Sequence, residues 1–425
     1  MDVLYDRCCG LDLHKRSVTA CRIVPGRQGQ PTTEIRTFGT MTADLLALGD
    51  WLEAGGVTHV AMESTGVYWK PIWNILEDGF ELMLVNAQHI KQVPGRKTDV
   101  SDCQWIADLL RHGLIRASFV PPSPQRDLRE LTRQRSQLIA ERARVANRIQ
   151  KTLEDANIKL GSVASDILGK SSRDMLETLI EDPNADPLKL AQLARSAMRP
   201  KIPQLALALN GKLRDHHRFM LKQLLDQADY LGKQIQTFED RIDQIMIQAG
   251  READAEAKGE EGPFAKAVRR LDPIPGINRR AAQSILAEIG HDMSRFKTAA
   301  HLASWAGLCP GNDESAGKRR SGHTRFGNRW LKQMLVQCAW AASRTKRSYF
   351  HGMYHRIKAR RGHKRALIAI AHAMLTTMWY LLSRTTQYAD MGAIQQHPQN
   401  PQRLTRHLVQ RLEQLGYSVT LAPAA

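Results

Sequence analysis

The first 120 residues alternate short β-prone runs with stretches of helical periodicity, and this alternation restricts the fold more than any other feature. The β-prone runs are near Tyr5–Leu13, Ser17–Val24, Glu34–Thr40, Val57–Met62 and Glu81–Val85. The helical stretches are Ala43–Glu53, Val67–Glu77 and Val100–His112. Short links predict antiparallel pairing of the first three strands, and helical crossovers predict parallel pairing after them. We therefore expect an α/β domain over residues 1–122, with a mixed sheet covered by helices and a proline-rich end.

Two long helical patterns follow over residues 123–262. Residues 126–151 are strongly basic and carry apolar side chains at helical intervals. The second helix has apolar residues at alternating steps of three and four, the heptad seam of a coiled coil: Leu221, Leu224, Ala228, Leu231, Ile235, Phe238, Ile242 and Ile245. Such a seam needs a partner helix, from this chain or from another protomer. Residues 161–203 predict a helical insertion with loops, and residues 250–262 predict a polar linker.

Residues 263–390 predict a mostly helical C-terminal domain. A glycine-containing turn at Gly276 separates two helices, as in a helix-hairpin-helix element, and can present backbone N–H groups to a phosphate. An ordinary tight turn between helices is the alternative. The apolar stretch Ala366–Leu382 is 17 residues long, just short of the roughly 20 that span a bilayer, so we expect a buried helix. Residues 391–425 predict a loose polar tail.

The charge of the chain predicts a polyanionic partner. The formal net charge is +18, and residues 310–370 hold fifteen Lys or Arg against two acids, so most of the excess lies in one sixth of the chain. Contacts from this patch to phosphates would give salt-dependent affinity, although a solvated basic face without a ligand is the alternative. Trp330, Trp340, Tyr349 and Tyr354 could stack on bases, but their helical spacing is also typical of a core. We expect nucleic-acid contacts from Lys97, Gly276, Lys318, Arg319, Arg320, Arg325, Arg329 and Lys332.

The cysteines and the N-terminal residues indicate the compartment. The six cysteines form no C-x-x-C pair and no Cys/His quartet, which argues against structural zinc and against a disulfide scaffold. The first residues lack the basic and apolar regions of a signal peptide. We therefore expect a soluble, cytoplasmic protein that binds nucleic acid and does not bind a membrane.

Four acidic residues have positions that predict a metal site. Asp12 lies at the end of the first strand, Glu63 ends the fourth, and Asp99 and Asp102 share one face at the start of the third helix. Carboxylates on neighbouring strands and on a later helix are how an RNase H-type sheet gathers divalent cations. Hard oxygen ligands suit Mg²⁺ or Mn²⁺, and two such ions can stabilise the attacking and leaving oxygens of phosphoryl transfer.

Each acid also has a structural alternative. Asp99 and Asp102 could be favourable charges in the first turn of a helix. Asp12 could pair with Lys15 or Arg16, and Glu63 could be a solvated strand end. Asp108, on the same helix as Asp102, is a rival metal ligand.

Two sets of motifs resemble one family of transposases. Segments 10–15 (GLDLHK), 63–68 (ESTGVY) and 97–102 (KTDVSD) are similar to the DEDD signature of the insertion-sequence "one-ten" family. Segments 274–277 (IPGI), 302–308 (LASWAGL) and 314–318 (ESAGK) resemble the second domain of that family. The resemblance covers residues 5–160 and 265–385, and the 160–215 insertion is longer than compact members would have.

The resemblance implies a fold, a chemistry and partners. The N-terminal domain would be RuvC-like, and Asp12, Glu63, Asp99 and Asp102 would hold Mg²⁺. Ser315 would be the nucleophile, forming a covalent serine–DNA phosphodiester. The protein would act on element ends and target DNA, guided by a structured RNA from the element. It would assemble as a homo-oligomer, a dimer or tetramer, with the coiled coil as a plausible interface.

The residues alone leave other functions open. Ser315 lies in a glycine-containing segment directly before Lys318, Arg319 and Arg320, so without the resemblance it reads as a flexible-loop hydroxyl, with Ser321 as its rival. The four carboxylates could instead activate water, as in an RNase H-like nuclease or junction resolvase without a covalent intermediate. A non-catalytic nucleic-acid-binding protein is the alternative of another class.

Overall fold

In a computed structural model of the chain, the described residues are 2–26, 30–64, 66–87, 90, 101–248, 262–311, 313–315, 317–324, 326–390, 392 and 401–421. Within these ranges, the side chains of residues 247–248, 313–315, 318–321, 401–404 and 407 are not described. The chain divides into two compact units, Met1–Pro121 and Pro122–Ala425. The first is α/β and the second mostly helical, which confirms the fold class at this level.

The first unit is built on a five-stranded mixed sheet. Its strands are β1 (Cys8–Leu13), β2 (Ser17–Pro25), β3 (Pro31–Gly39), β4 (His59–Glu63) and β5 (Glu81–Val85). Their order is β3-β2-β1-β4-β5. β1 pairs antiparallel with β2, and β2 with β3, because the links between them are short. β4 is parallel to both β1 and β5, as expected of strands joined by helical crossovers.

Helices cover both faces of this sheet. Helices α1 (Thr42–Ala54) and α2 (Trp69–Leu76) pack on one face, and α3 (Asp102–Arg111) packs on the other. The alternation of β1 divides its side chains between the layers: Cys9, Leu11 and Leu13 join the α1/α2 core, while Cys8 joins the α3 core. The three helices predicted from the sequence are confirmed, with ends shifted by one or two residues.

The second unit begins with an antiparallel pair of long helices, α4 (Ser123–Asp155) and a later helix, Asp215–Gln248. Arg148 donates to Gln227 at 2.9 Å, and His217 Nε2 lies 2.8 Å from Asp155 at the end of α4, so residue numbers rise on one helix as they fall on the other. The heptad seam of the later helix packs against Val145, Ile149 and other apolar residues of α4. The partner helix is therefore supplied by this chain, and the seam is not free for a second protomer.

The insertion folds around the far end of this helix pair. It contains α5 (Leu160–Val163), α6 (Lys170–Glu181), α7 (Pro187–Gln192), a 3₁₀ turn (Ser196–Lys201) and α8 (Ile202–Ala208), and we number the helix that follows, Asp215–Gln248, α9. One hydrophobic core joins Leu160, Met175 and Leu205 of the insertion to Leu153 and Leu221 of the pair. The sequence correctly predicted a helical insertion here. The polar linker predicted at 250–262 lies outside the described residues except for Gly262.

Between residues 262 and 390, the described residues of the C-terminal part form six helices and a short strand pair. They are α10 (Pro263–Leu271), α11 (Arg279–Ile289), α12 (Ala299–Trp305), β6 (Asp313–Ser315), β7 (Lys318–Ser321), α13 (Arg329–Ala342), α14 (Tyr349–Arg361) and α15 (His363–Ser383). In the described part of the chain α15 is the one helix long and apolar enough to cross a membrane. Nine of its residues are buried in the core shared with α10 to α14, as predicted for a core helix.

Two sequence predictions for this part were wrong. Residues 391–425 are not a loose tail throughout, because Pro401–Gln414 form helix α16. Its leucines recur at helical spacing, a signal that the polar composition masked. The segment predicted as a flexible loop around Ser315 contains the β6–β7 pair instead.

Candidate active site

Gly10 allows helix α3 to lie directly against strand β1. A Cβ atom at this position would collide with the carbonyl oxygen of Cys103 and the amide nitrogen of Ala107, and would lie 3.0 Å from the Ala107 Cα. These atoms belong to the backbone, so they cannot rotate aside as the end of a flexible side chain would. Glycine is therefore required for this approach.

Helix α3 runs antiparallel to β1. The carbonyl oxygen of its last residue, Arg111, accepts hydrogen bonds from the backbone N–H groups of residues 4 and 5, at 2.8 and 3.1 Å, just before the strand begins. Its first turn lies against Gly10, further along the strand. Asp102, the first residue of α3, therefore lies toward the end of β1 that carries Asp12.

The register of β1 and β4 places Glu63 beside Asp12. The two parallel strands pair Gly10 with Ala61, so the pair two residues further along is Asp12 with Glu63. Neighbouring strands lie about 4.8 Å apart, and side chains two residues apart share a face. Asp12 therefore shares the α3 face with Gly10, and Glu63 shares it with Ala61, which is buried in the core against α3. The two strand carboxylates and Asp102 therefore lie toward the same edge of the sheet.

The rival acid Asp108 lies toward the opposite end of α3. It is six residues from Asp102, about 9 Å along the helix axis. Its carboxylate lies 3.5 Å from His112 Nδ1. Burial raises the pKa of the Cys8 thiol at the start of β1, and the negative charge of Asp108 raises it further. Burial also raises the pKa of Cys103, at the other end of the helix, and there the negative charge of Asp12 adds to the rise. Asp99 and Lys97 lie outside the described residues.

Asp12 lies beside one histidine, and the strands that lead to it carry buried thiols. Asp12 Oδ2 lies 3.2 Å from His14 Nε2, so within the described residues its ion partner is His14, and neither Lys15 nor Arg16. The Asp12 side chain is 25% exposed and open to a ligand. Burial raises the pKa of both Cys8 and Cys21 to about 12. These sulfurs therefore stay as neutral thiols, and they do not act as nucleophiles beside the acids.

The donor set fits a divalent cation by its chemistry. Asp12, Glu63 and Asp102 offer carboxylate oxygens, the ligands that suit Mg²⁺ or Mn²⁺. In the described part of the chain, no three His, Cys, Asp or Glu side chains are close enough to hold an ion as they stand. Closing such a site requires these carboxylates to turn toward one another, with Asp99 as the fourth member of the predicted set.

Ser315 ends strand β6 in a two-stranded hairpin. It pairs with Lys318 across a turn in which Gly317 has a φ of +73°, a conformation that favours glycine. Arg319 and Arg320 follow on β7. The side chains of Ser315, Lys318, Arg319 and Arg320 lie outside the described set, as does all of Arg325. The correction to the sequence analysis is that the backbone of Ser315 is paired with that of Lys318 and does not lie in a loop.

The base of this hairpin is attached to helix α13. An isolated bridge pairs Pro310 with Thr324, and Gly311 donates to the His323 carbonyl oxygen at 2.7 Å. The Lys332 ammonium, on α13, donates to Thr324 Oγ1 at 2.7 Å. Lys332 was predicted as a nucleic-acid contact, and here it anchors the hairpin.

A buried carboxylate, Glu288, organises the helices behind the hairpin. The Arg133 guanidinium donates to both of its oxygens at 2.7 and 2.9 Å, and Arg129 donates to its backbone carbonyl at 2.7 Å. Asn328 Nδ2 donates to Glu288 Oε2 at 2.5 Å, while Asn328 Oδ1 accepts from the N–H groups of residues 330 and 331 and so caps α13. The sequence analysis missed this group, although an asparagine directly before a helical pattern is a recognisable cap signal.

The turn at Gly276 has a packing role. Its φ is +84°, and a Cβ there would collide with the backbone of Cys338 and Ala342 on α13. Asn278 caps the helix that follows by accepting from the Ala281 N–H at 2.9 Å. This close packing accounts for the glycine, and phosphate binding by the turn stays a prediction.

The candidate stacking aromatics divide into core and surface. Tyr354 is buried, and its hydroxyl lies 2.6 Å from His363 Nδ1, so it belongs to the core. Trp340 is 50% exposed with the Arg344 guanidinium over its ring. The Arg329 guanidinium lies over the Trp330 ring at 5.1 Å and is exposed at the start of α13.

A basic groove of about 950 Å³ runs beside the hairpin base. Its lining combines His323 and Thr324 from the hairpin base with Arg361, Lys364 and Arg365 from the end of α14 and the start of α15. These three cations are exposed, and within the described residues they have no carboxylate within ion-pair distance. The rest of its lining is mostly apolar, including Met353, Ile357 and Ile368, so the three cations supply the charge that attracts phosphates.

The replacement Gly10→Ala is expected to force α3 away from β1. Overpacking against backbone atoms lowers the free energy of unfolding by about 1–3 kcal/mol. The urea concentration at the midpoint of unfolding of the first unit should therefore fall. Gly49→Ala is the control, because its Cβ would lie an ordinary 3.6 Å from Leu76 Cδ2 inside helix α1. An unchanged midpoint for Gly10→Ala would contradict the close approach.

The replacement Glu288→Gln is expected to leave two arginines near a neutral group. Breaking a buried ion pair costs about 3–5 kcal/mol, and thermal unfolding should report the loss. Glu177→Gln removes a half-exposed ion pair with Arg173, so it should cost about 1 kcal/mol or less. Equal losses for the two variants would count against the organising role of Glu288.

Two family models match separate parts of this chain. A model for DEDD transposases of IS110 elements, described as "Transposase", matches residues 9–158, which include Asp12, Glu63 and Asp102. A second model, "Transposase IS116/IS110/IS902 family", matches residues 268–355, which include Ser315. The two matches leave out most of the insertion and helix α9.

Curated relatives align with most of the chain. The transposase for insertion sequence element IS1111A of Coxiella burnetii is 25% identical over 315 residues, covering 73% of each chain. The uncharacterized 43.6 kDa protein of insertion element IS110 from Streptomyces coelicolor is 28% identical over 315 residues, covering 69% of this chain and 73% of its own. With both family models matched in order, the chain belongs to the IS110 family of insertion-sequence transposases.

Proposed function

We propose that this transposase cleaves and rejoins DNA strands at the ends of its insertion element by transesterification, with Ser315 as the nucleophile. The position of Asp12, Glu63 and Asp102 toward the same edge of the sheet is the observation that carries the proposal. The strand order β3-β2-β1-β4-β5, with antiparallel strands on one side and parallel strands on the other, supports an RNase H-like, RuvC-like domain. In such a domain a carboxylate edge binds the phosphate to be cut.

The carboxylates would hold Mg²⁺ or Mn²⁺. Asp12, Glu63 and Asp102, together with Asp99, are the proposed ligands. A divalent ion held there would offset the negative charge that develops on the phosphate oxygens during transfer. His14 Nε2, 3.2 Å from Asp12 Oδ2, would orient that carboxylate.

The serine step exchanges one phosphodiester for another. The Ser315 Oγ would form a bond to a DNA phosphorus while the bond from that phosphorus to the leaving strand oxygen breaks. The proton lost by the serine balances the proton that the leaving oxygen gains. Because the serine–DNA linkage keeps the energy of the original bond, a second DNA hydroxyl can reverse the step and join a new strand. The guanidinium groups of Arg319 and Arg320 would stabilise the charged phosphate.

The basic C-terminal surface is the proposed DNA-binding region. Lys318, Arg319, Arg320, Arg325 and Arg329 would contact phosphates together with the groove cations. We further propose a structured guide RNA from the element and a dimer or tetramer acting in the cytoplasm, as the family resemblance implies. The oligomer would use a surface other than the α9 seam, because that seam is buried against α4.

Metal-dependent hydrolysis without a covalent intermediate is the second candidate. One observation favours it: Asp12, Glu63 and Asp102 all lie within the first unit, whereas Ser315 belongs to the second. Water activated at the carboxylate edge would cut DNA without the serine. The two candidates differ in whether protein becomes attached to DNA.

The replacement Ser315→Ala is expected to remove a covalent protein–DNA adduct. The assay is a denaturing gel with the full chain, Mg²⁺, labelled element-end DNA and RNA transcribed from the flank of the element. Ser321→Ala, which alters a hydroxyl on the neighbouring strand, should leave the adduct in place. Free nicked DNA without any adduct would favour hydrolysis, and an adduct lost only in Ser321→Ala would move the nucleophile.

The replacement Asp12→Asn is expected to lower cleavage by about 100-fold or more while DNA binding is retained. The change removes one charge and keeps the shape of the side chain. Cleavage is read on the same gels, and binding is read by a native mobility shift. Asp108→Asn is the control, because Asp108 lies at the other end of α3. Cleavage that survives Asp12→Asn would remove this residue from the site.

A further inference from the structure

Phe326 is a large apolar side chain that the fold leaves entirely in solvent. Its relative exposure is 106%, the highest among the exposed large hydrophobic residues of the described chain, where Leu207 follows at 78%. Burying a phenylalanine side chain stabilises a fold, and this position forgoes that gain. Single exposed apolar residues are common on surfaces, so exposure alone decides nothing.

The backbone near Phe326 is held at Thr324 and again from Gly327 onward. Thr324 is bridged to Pro310 and accepts a hydrogen bond from Lys332. Gly327 lies so close to α12 that a Cβ there would collide with the backbone of residues 306 and 307. Asn328 is held by Glu288 and caps α13. Phe326 therefore lies between two anchored residues, Thr324 and Gly327.

The surface around Phe326 selects a polyanion. Between Ser315 and Ala389 the sequence has sixteen Lys or Arg and no acidic residue. The groove with Arg361, Lys364 and Arg365 begins at Thr324, two residues away. An exposed apolar ring on a strongly basic stretch of the chain, two residues from a groove with three cations, does not fit another copy of this basic surface. It fits a nucleic acid, whose phosphates meet the cations and whose bases offer flat apolar faces.

We infer that Phe326 inserts between bases of the element-end DNA and unstacks them close to the cleavage site. DNA is chosen over RNA because Phe326 follows directly from the base of the hairpin that carries Ser315. Ser315 lies five positions along the chain from Pro310 of the Pro310–Thr324 bridge. The choice of DNA rests on the proposed function of Ser315, while the stacking role rests on the geometry alone.

The test compares Phe326→Ala with Phe219→Ala, a matched control that removes an equally large ring, 63% exposed, from helix α9. The full chain binds element-end duplex DNA with flank RNA present and Ca²⁺ in place of Mg²⁺, so that binding is read without the cleavage step. Permanganate, which oxidises unstacked thymines, maps the DNA at single-base resolution. Thermal unfolding of each variant should match that of the unchanged protein, since Phe326 contributes no burial.

Phe326→Ala is expected to weaken DNA binding about 5- to 150-fold and to abolish a permanganate-reactive thymine that the unchanged protein creates. The slope of affinity against salt should not change, because no charge is removed. Phe326→Trp should restore both readouts, and Phe219→Ala should alter neither.

Unchanged affinity and an unchanged permanganate pattern in Phe326→Ala would overturn the inference. An effect confined to the RNA, seen with RNA probes in the same complex, would overturn the assignment to DNA. Failure of the serine mechanism would appear separately, as a missing covalent adduct in the Mg²⁺ assay, with the stacking readouts intact.

Discussion

The contact between helix α3 and strand β1 at Gly10 is the constraint on which the candidate active site depends. A side chain at this position would meet backbone atoms of α3, so the helix could not lie flat on the strand. With the helix in place, Asp102 comes to the edge where the strand register already sets Asp12 beside Glu63. The strand register thus sets the positions of Asp12 and Glu63, and the glycine at position 10 allows Asp102 to join them at the same edge.

In the second unit a buried ion cluster organises the serine-bearing region. Glu288 joins α4 to α11 through Arg129 and Arg133, and reaches α13 through Asn328. Burial lowers the pKa of Arg129 to about 10, so it stays charged at neutral pH and can hold the carboxylate. A buried polar cluster adds little net stability, but it penalises any packing that leaves its members unpaired. Through Asn328 and helix α13, this cluster holds the hairpin base and the backbone that follows Phe326.

The elements with strong local patterns were predictable from the sequence. All five strands of the first sheet were, because each is a short β-prone run between turn or helix signals, and the central strands β1 and β4 are apolar on both faces. The positions of Asp12 and Glu63 at strand ends followed from that pattern. The edge shared with Asp102 required the strand order and the packing of α3, which depend on contacts distant in sequence.

Other features could not be predicted because their signals are not local. The heptad seam of α9 indicated a partner helix, but only the chain reversal through the insertion shows that α4 supplies it. The hairpin at Ser315 is too short for a strand pattern, and glycine favours either a loop or a tight turn. Glu288 resembles a surface acid in the sequence, since its burial is decided by two arginines about 155 residues away.

The central claim is that Asp12, Glu63 and Asp102 form one divalent-metal site, and Mn²⁺ binding tests it most directly. Electron paramagnetic resonance of the full chain titrated with Mn²⁺, without nucleic acid, counts bound ions independently of cleavage. We expect binding that weakens in each of Asp12→Asn, Glu63→Gln and Asp102→Asn, and that persists in Asp108→Asn. Binding lost in Asp108→Asn and kept in Asp102→Asn would contradict the account.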